Sequence, residues 1–380
     1  MMARRLPLCV VALFAAACDT TAPSGPPPKA QELTRFGRPN AVIGPGESIQ
    51  AAVDAAQPGD RIFLRPGTYA QTVTINKPGI NLVGLGRRFG SHGRGAAILE
   101  NPGDEENGIT VTSAGSGVEI VNLTVRNFEE NGVLLVGVNG FHLSEVVAEN
   151  DGEYGFFPLL SSNGLIEHCS ANGHSDTGIY VGQSEHVAVR GSTAFGNVNG
   201  FEIENSSHIQ ASDNESFDNV AGFLVILLPG LSVKSSSDIL LTDNNVHDNN
   251  RPNFATDGFE AFVPSGSGIL IVGTDATEVR SNLIAGNSFV GVGVANTGLL
   301  AQLAGVPTDD IEPFPDGVRV QDNTVTGNGG AQPIPFLPPG VDLLWDGTGT
   351  ANCWEGNVFD SSLNLDLVGG APSTSLPSCT

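Results

Sequence analysis

The sequence predicts an all-β solenoid, a single chain wound into about ten stacked parallel coils and closed at its N-terminal end by a short helix. Three observations predict it. A glycine precedes an apolar-x-apolar triplet at Gly108 (GITVT), Gly132 (GVLLV), Gly155 (GFFPL), Gly178 (GIYVG), Gly200 (GFEIE) and Gly222 (GFLVI), at intervals of 24, 23, 23, 22 and 22 residues. The pattern returns at Gly268 (GILIV) and Gly291 (GVGVA). Second, an apolar or small residue is followed three places later by Asn: Val147/Asn150, Cys169/Asn172, Ala194/Asn197, Ser216/Asn219, Val246/Asn249, Ile284/Asn287 and Val325/Asn328. Four of these coils carry another Asn five residues earlier, at Asn214, Asn244, Asn282 and Asn323. Third, the segments between glycines are short and β-branched, with nothing long enough for a helix.

A period of 22 to 24 residues also suits leucine-rich repeats, but those need a Leu-rich consensus and commonly a helical segment per repeat. In stacked β-coils each residue lies above its equivalent, so Asn side chains can hydrogen-bond along the stack at the turns. Cys169 fills the apolar slot of its coil and is expected to be a buried free thiol. At the start of the domain, Ile49, Ala52, Val53 and Ala56 recur at helical spacing, with Gly59 just after. A short amphipathic helix there would cover the open end of the stack.

Composition fits this class. Gly (49) and Pro (24) supply turns, while a 40% hydrophobic fraction argues against disorder. The formal net charge of −24 repels nucleic acid and anionic lipid. It also argues against an unassisted grip on polyuronates, although calcium could bridge the two, since carboxylates abound. No other cofactor is expected, and no cysteine pair has zinc-ligand spacing.

The N-terminus is set apart from the fold. Arg4 and Arg5 precede the apolar run Leu6–Phe14, which is too short to span a bilayer, and Ala15-Ala16-Ala17-Cys18 closes it. This resembles a bacterial lipoprotein signal in which Cys18 becomes lipidated, although Ala15 stands where Leu is usual. Ordinary cleavage after the alanines is the alternative; the Thr20–Pro28 tether favours lipidation. Residues 1–17 are therefore expected to be a signal peptide, 18–40 a tether, and 41–380 the β-helix domain, with loop insertions at 227–267 and 297–316. Either reading implies export; lipidation implies a cell-envelope protein held to a membrane by its lipid alone. Cys353 and Cys379 are expected to bridge in an oxidising compartment.

The stretch QAAVDAAQPGDRIFLRPGTY (Gln50–Tyr69), followed by VTINKPGINLVGLG, resembles the opening of right-handed parallel β-helix proteins of the pectate-lyase-like and NosD-like type. SDTGIYVGQS (Ser175–Ser184), GFEIENS and NNRPNFATDG (Asn249–Gly258) are similar to an exported group described only as parallel β-helix repeat proteins, of unassigned function. The resemblance spans about Ala41 to Cys379. It implies a right-handed coil and is nearly silent on chemistry. The Asp-Pro-His-Asp run of alginate epimerases is missing. So are the Asp-Asp, Gly-His-Gly and Arg-x-Lys series of polygalacturonases.

Counting from each leading glycine, positions +1 and +3 are almost uniformly apolar and should point inward, leaving +2 and +4 outward. The outward set runs Thr110/Thr112, Leu134/Val136, Phe157/Leu159, Tyr180/Gly182, Glu202/Glu204, Leu224/Ile226 and Leu270/Val272. It contains no Lys or Arg, which weakens a uronate-lyase reading. So apolar an outer face should be covered. The coil that starts at Gly222 runs 46 residues to the next start and contains Leu227–Ser237 and Arg251–Ser267. Thr297–Asp316 is a further excursion. One or both are expected to fold over the stripe and form a cleft near Tyr180 and Glu202.

Glu202 and Glu204 have Cα atoms roughly 6.5–7 Å apart on one strand face. That spacing allows either carboxylate separation used by glycosidases. In apolar surroundings one should have a raised pKa and could act as an acid. Alternatively they cap loop amides or pair with Arg190 or Arg251. His174 and Asp176 lie in the turn entering Gly178, and with Tyr180 and Glu202 they could form a general acid/base group. The plain alternative is a turn whose Asp hydrogen-bonds its own backbone. His168, His186 and His208 read as turn or surface residues. The expected catalytic set is thus Glu202, Glu204, Tyr180, His174 and Asp176, with Phe157, Arg190, Asp257 and Glu260 as substrate contacts. Two functions are compatible with this: a monomer that binds a carbohydrate, with processing of a polysaccharide by hydrolase, lyase or epimerase chemistry left open, or a non-catalytic scaffold whose apolar stripe docks a protein partner.

Overall fold

The computed structural model describes residues 37–86, 95–335 and 339–380. The expected leader, Cys18 and most of the tether lie outside them. Among the described residues no helix is long and apolar enough to cross a membrane.

The chain winds into three long parallel sheets, of twelve, eleven and eleven strands. Each turn contributes one strand to each sheet, and every strand but those at the sheet ends pairs with its equivalents one turn earlier and later. The stack is therefore eleven turns and one strand. The sheet that carries the glycine-led strands, called the site sheet below, runs from Val73–Ile75 to Ser362–Asn364. Its central register aligns Tyr180 with Glu202, Glu202 with Leu224, and Leu224 with Leu270.

Positions +1 and +3 do line the interior. Ile109, Val133, Phe156, Ile179, Phe201, Phe223 and Ile269 form one buried column of a core that runs the length of the coil. Phe201 and Phe223 stack with ring centroids 4.5 Å apart. Each such side chain stabilises the fold by about 1.5–3 kcal/mol relative to exposure. The leading glycines face inward as well. A Cβ on Gly200 would lie 2.2 Å from Ser216 Oγ and 2.7 Å from the Gly222 carbonyl, so no side chain fits there. Two successive residues, the glycine and +1, thus point inward. The residue before the glycine is thereby turned to the outer face, which simple alternation does not anticipate.

Asparagine ladders run along two turns. Asn197, Asn219, Asn249, Asn287 and Asn328 each donate Nδ2 to the next residue's side-chain oxygen at 2.9–3.1 Å, ending on Asp342. Asn214, Asn244, Asn282 and Asn323 do the same at 2.9–3.0 Å, ending on Asn357. The expected members Asn150 and Asn172 are not in the first ladder. Asp151 and His174 hold those slots: the Phe128 N–H donates to Asp151 Oδ1 at 3.0 Å, and the His174 N–H donates to Asn197 Oδ1 at 3.0 Å. Cys169 is a buried free thiol as expected. Its N–H donates to Ser192 Oγ, which places it at the foot of the second ladder.

Both ends are closed. Helix α1, Ile49–Ala55, is N-capped by Ser48 and buries Ile49 and Val53 against the first coils. Cys353 and Cys379 form a disulfide that ties down the C-terminal segment. The 227–267 insertion is two loops, separated by the strands Ser237–Thr242 and Asn245–His247, which remain in the coil. The 297–316 excursion begins with helix α2, Thr297–Ala304, N-capped by Asn296.

Candidate functional site

These excursions form a roof over the outer face of the site sheet. Leu224, Ile226, Leu270 and Val272 from the sheet, Leu228 and Val263 from the loops, and Leu300 from α2 make a second hydrophobic cluster, with Phe259 packed against it. Asn205 pins the first loop, donating Nδ2 to the Leu228 and Val233 carbonyls at 2.9 and 2.6 Å. Thr297 Oγ1 donates to the Leu227 carbonyl at 2.8 Å, and Lys234 pairs with Asp310. The second loop is tied down by Arg251 on Asp218 at 2.8 Å. Over these coils the apolar stripe is therefore used internally.

Toward the N-terminal coils the roof ends. Leu134, Phe157 and Leu159 are half-buried and Val136 is exposed. Beside them lies an open cleft of about 550 Å³ lined by Asp104, Glu106, Glu129, Glu130 and Glu153. Equivalent turn residues stack there: the Glu130 N–H donates to the Glu106 carbonyl, that of Glu153 to Glu130, and that of Asp176 to Glu153. A row of acids thus leads along the coil to Asp176, at the edge of the roof.

Polar and aromatic groups converge at that edge. Tyr154, Phe157 and Tyr180 form a three-ring cluster with centroids 4.3, 4.6 and 5.2 Å apart. The Tyr180 hydroxyl donates to Glu204 Oε1 at 2.5 Å. Gly182 makes this possible, since a Cβ there would lie 1.9 Å from that hydroxyl. Tyr154 donates to Asp176 Oδ2 at 2.7 Å, and Thr177 Oγ1 donates to Glu202 Oε2 at 2.5 Å, joined by Asn199 Nδ2 at 3.2 Å. Asp176, Glu202 and Glu260, the last from the roof, each offer a carboxylate oxygen within 4.8 Å of the others. At that separation two unit charges repel by roughly 3 kcal/mol at an effective dielectric of 20.

Burial sets the protonation pattern. Glu202, 1% exposed, is held well above the usual carboxylate range by desolvation and then by Asp176 and Glu260. Asp176 is raised by the same desolvation and by Glu260. Burial raises Glu204 to about 7, although the Tyr180 hydroxyl bond works against it. Desolvation likewise keeps the Tyr154 and Tyr180 phenols protonated. At about 7, Glu204 is placed to exchange a proton near neutrality.

Of the residues expected from the sequence, Glu202, Glu204, Tyr180, Asp176, Phe157 and Glu260 meet here. Tyr180 engages Glu204 rather than Glu202. His174 does not belong to the group. It is fully buried in the first ladder, its Nδ1 lies 3.1 Å from the Asp151 carbonyl, and desolvation pushes its pKa down to about 4. Arg190 is also elsewhere, on the twelve-stranded sheet, bound to Glu167 at 2.7 Å. Asp257 is exposed on the roof. Sequence reasoning missed Tyr154, Thr177 and Asn199, all of which directly precede a leading glycine. The signal was the polar or aromatic residue at that position in successive coils, Asn107, Asn131, Tyr154, Thr177 and Asn199.

Comparison with known proteins agrees with the architecture. Residues 107–229 match the family model described as right handed beta helix region. The chain is a right-handed parallel β-helix. Among solved structures, it resembles the A-module of the Azotobacter vinelandii mannuronan C-5 epimerase AlgE4, with a TM-score of 0.57 and 17% identity over 86% of this chain and 96% of that one. A DFA-IIIase from Arthrobacter chlorophenolicus A6, solved without its lid, gives a TM-score of 0.53 and 13% identity over 84% and 97%. At these identities the likeness shows the fold alone. No curated protein sequence matches the chain.

Proposed function

We propose that this β-helix binds a carbohydrate chain along the outer face of its site sheet, from the open acidic cleft to the roofed carboxylates. The observation that carries the reading is the half-exposed ring of Phe157, backed by the buried Tyr154 and Tyr180, which hydrogen-bond to Asp176 and Glu204 where the cleft meets the roof. Sugar C–H faces pack on aromatic rings, and sugar hydroxyls donate to carboxylates, so apolar floor and acidic wall together suit a polyol. The structural neighbours include a mannuronan epimerase and a DFA-IIIase, which support carbohydrate as the ligand class. The acid row disfavours polyuronates and favours neutral or amine-bearing chains.

Proton transfer in any processing of the bound chain would fall to Glu204. Glu204 sits near 7 with Tyr180 as its hydrogen-bond partner, and Glu202 lies beside it on the same strand face. Both lie under the roof, so the second loop must lift for a sugar to reach them. The proposed setting is the cell envelope, with the lipid at Cys18 as the anchor; the leader and tether support this.

A glycan array with wild type, Phe157→Ala and Glu202→Gln tests the reading. Wild type is expected to bind neutral or amino-sugar glycans, with Phe157→Ala lowering the signal at least tenfold. Binding that ignores Phe157→Ala, or none to any glycan, overturns it.

A further inference from the structure

We propose that Asp176, Glu202 and Glu260 form a divalent-cation site, suited to Ca²⁺, that clamps the second roof loop onto the site sheet. The three carboxylates come from two separate parts of the fold. Asp176 and Glu202 are fixed on adjacent turns of the coil, while Glu260 is carried in by a 3₁₀ turn, Glu260–Phe262, of the roof. One oxygen of each lies within 4.8 Å of the others. Oxygens that share a Ca²⁺ at 2.3–2.6 Å can lie up to roughly 5 Å apart, so the spacing fits one ion at the centre.

Glu202 supplies a second, independent observation. Its Oε2 is committed to Thr177 and Asn199, which fixes the carboxylate plane. Its Oε1 is sealed from solvent and accepts no hydrogen bond. A buried carboxylate oxygen without a partner is costly, and a cation satisfies it where no protein donor does. The largest charges acting on Glu202, those of Asp176, Glu260 and Glu204, are all acidic and so favour a cation between them. Asp176 and Glu260 keep an exposed edge, which leaves a path for an ion.

Oxygen-only ligands, one of them on a loop, match the adaptable shell of Ca²⁺ better than the rigid octahedron of Mg²⁺. Asp275, Glu312 and Asp316 form a second trio of carboxylates. Their oxygens accept from the Asp316, Phe314 and Thr350 N–H groups, and none of the three is an orphan like Glu202, so that trio serves as a control.

Terbium luminescence tests the site directly, because the Tyr154 hydroxyl, 2.7 Å from Asp176 Oδ2, would sensitise a bound ion. Purified wild type without any sugar is titrated with Tb³⁺ under tyrosine excitation and then with Ca²⁺. The expected result is saturable emission displaced by Ca²⁺. Glu202→Gln, and separately Glu260→Gln on the roof, should each weaken it at least tenfold, and Glu312→Gln should leave it unchanged. Ca²⁺ should also slow protease cleavage of the 251–266 loop in wild type and not in Glu260→Gln. No displaceable emission overturns the proposal, as does equal emission from all variants, or loss with Glu129→Gln in place of Glu202→Gln. With no glycan in the cuvette, this test and the carbohydrate reading fail separately.

Discussion

Asp151 interrupts an amide ladder with a carboxyl group, and replacing it with Asn should stabilise the protein in a pH-dependent way. Its Oδ1 accepts the Phe128 N–H, while Oδ2 is buried and without a partner. Desolvation lifts its pKa from 3.8 to about 8. An acid raised in the folded state gives stability that is complete below its unfolded pKa and lost as pH rises through the folded one. Wild type should thus lose about 1.4 kcal/mol per pH unit between roughly pH 4 and 8 through this residue, or on the order of 4 kcal/mol by pH 7. Asp151→Asn keeps the bond to Phe128 and adds an Nδ2 donor in the place where, two coils on, Asn197 Nδ2 reaches the Ala171 carbonyl. That bond adds about 1 kcal/mol at any pH. The assay is the thermal midpoint of both proteins at half-unit steps from pH 4 to 8.5. The variant's advantage should be small at pH 4, grow steadily, and level off above pH 8. An advantage that is flat across this range would refute the reasoning.

His174→Asn should show the opposite pH dependence, since the neutral imidazole is buried and its pKa is lowered to about 4. Stability tied to that depression is present above 6.5 and lost as pH falls through 4, so the variant should gain on wild type only in acid, read by the same midpoints. Gly200→Ala places a methyl 2.2 Å from Ser216 Oγ and should cost about 1–3 kcal/mol, measured by chemical denaturation. Cys379→Ser opens the disulfide to Cys353 and should destabilise the C-terminal coils by about 2–4 kcal/mol, seen as earlier protease cleavage after Asn352.

The glycine period and the apolar columns made the coil legible, because stacked turns repeat the same steric demand at the same interval. The ladder was legible only where Asn fills it. Asn150 mimicked a ladder residue because it takes the left-handed corner conformation, φ 55°, which Asn tolerates well. The true slots beside it hold Asp151 and His174, and the latter thereby looked like a surface proton carrier. The outer face was read correctly as covered over its later coils, since Leu224 and Leu270 had no place in water. The cleft expected at Tyr180 and Glu202 is instead filled: both side chains are buried, and the open cleft lies further toward the N-terminal coils. The meeting of Glu260 with Asp176 and Glu202 was not legible. It depends on the path of a long loop, which no local pattern encodes. Tyr154 and Thr177 were hidden by a local shift in parity: where glycine and its successor both face inward, alternation fails.

Native affinity electrophoresis tests the account's central claim most directly: that the outer face of the site sheet recognises carbohydrate through its aromatic floor. Wild type and Phe157→Ala are run through gels that contain a neutral β-glucan, chitosan or polygalacturonate, each without divalent cations. Retardation of wild type by a neutral or amine-bearing polymer, released by Phe157→Ala and absent with polygalacturonate, is the predicted result. Equal mobility of the two proteins in every gel, or retardation by polygalacturonate alone, would contradict it.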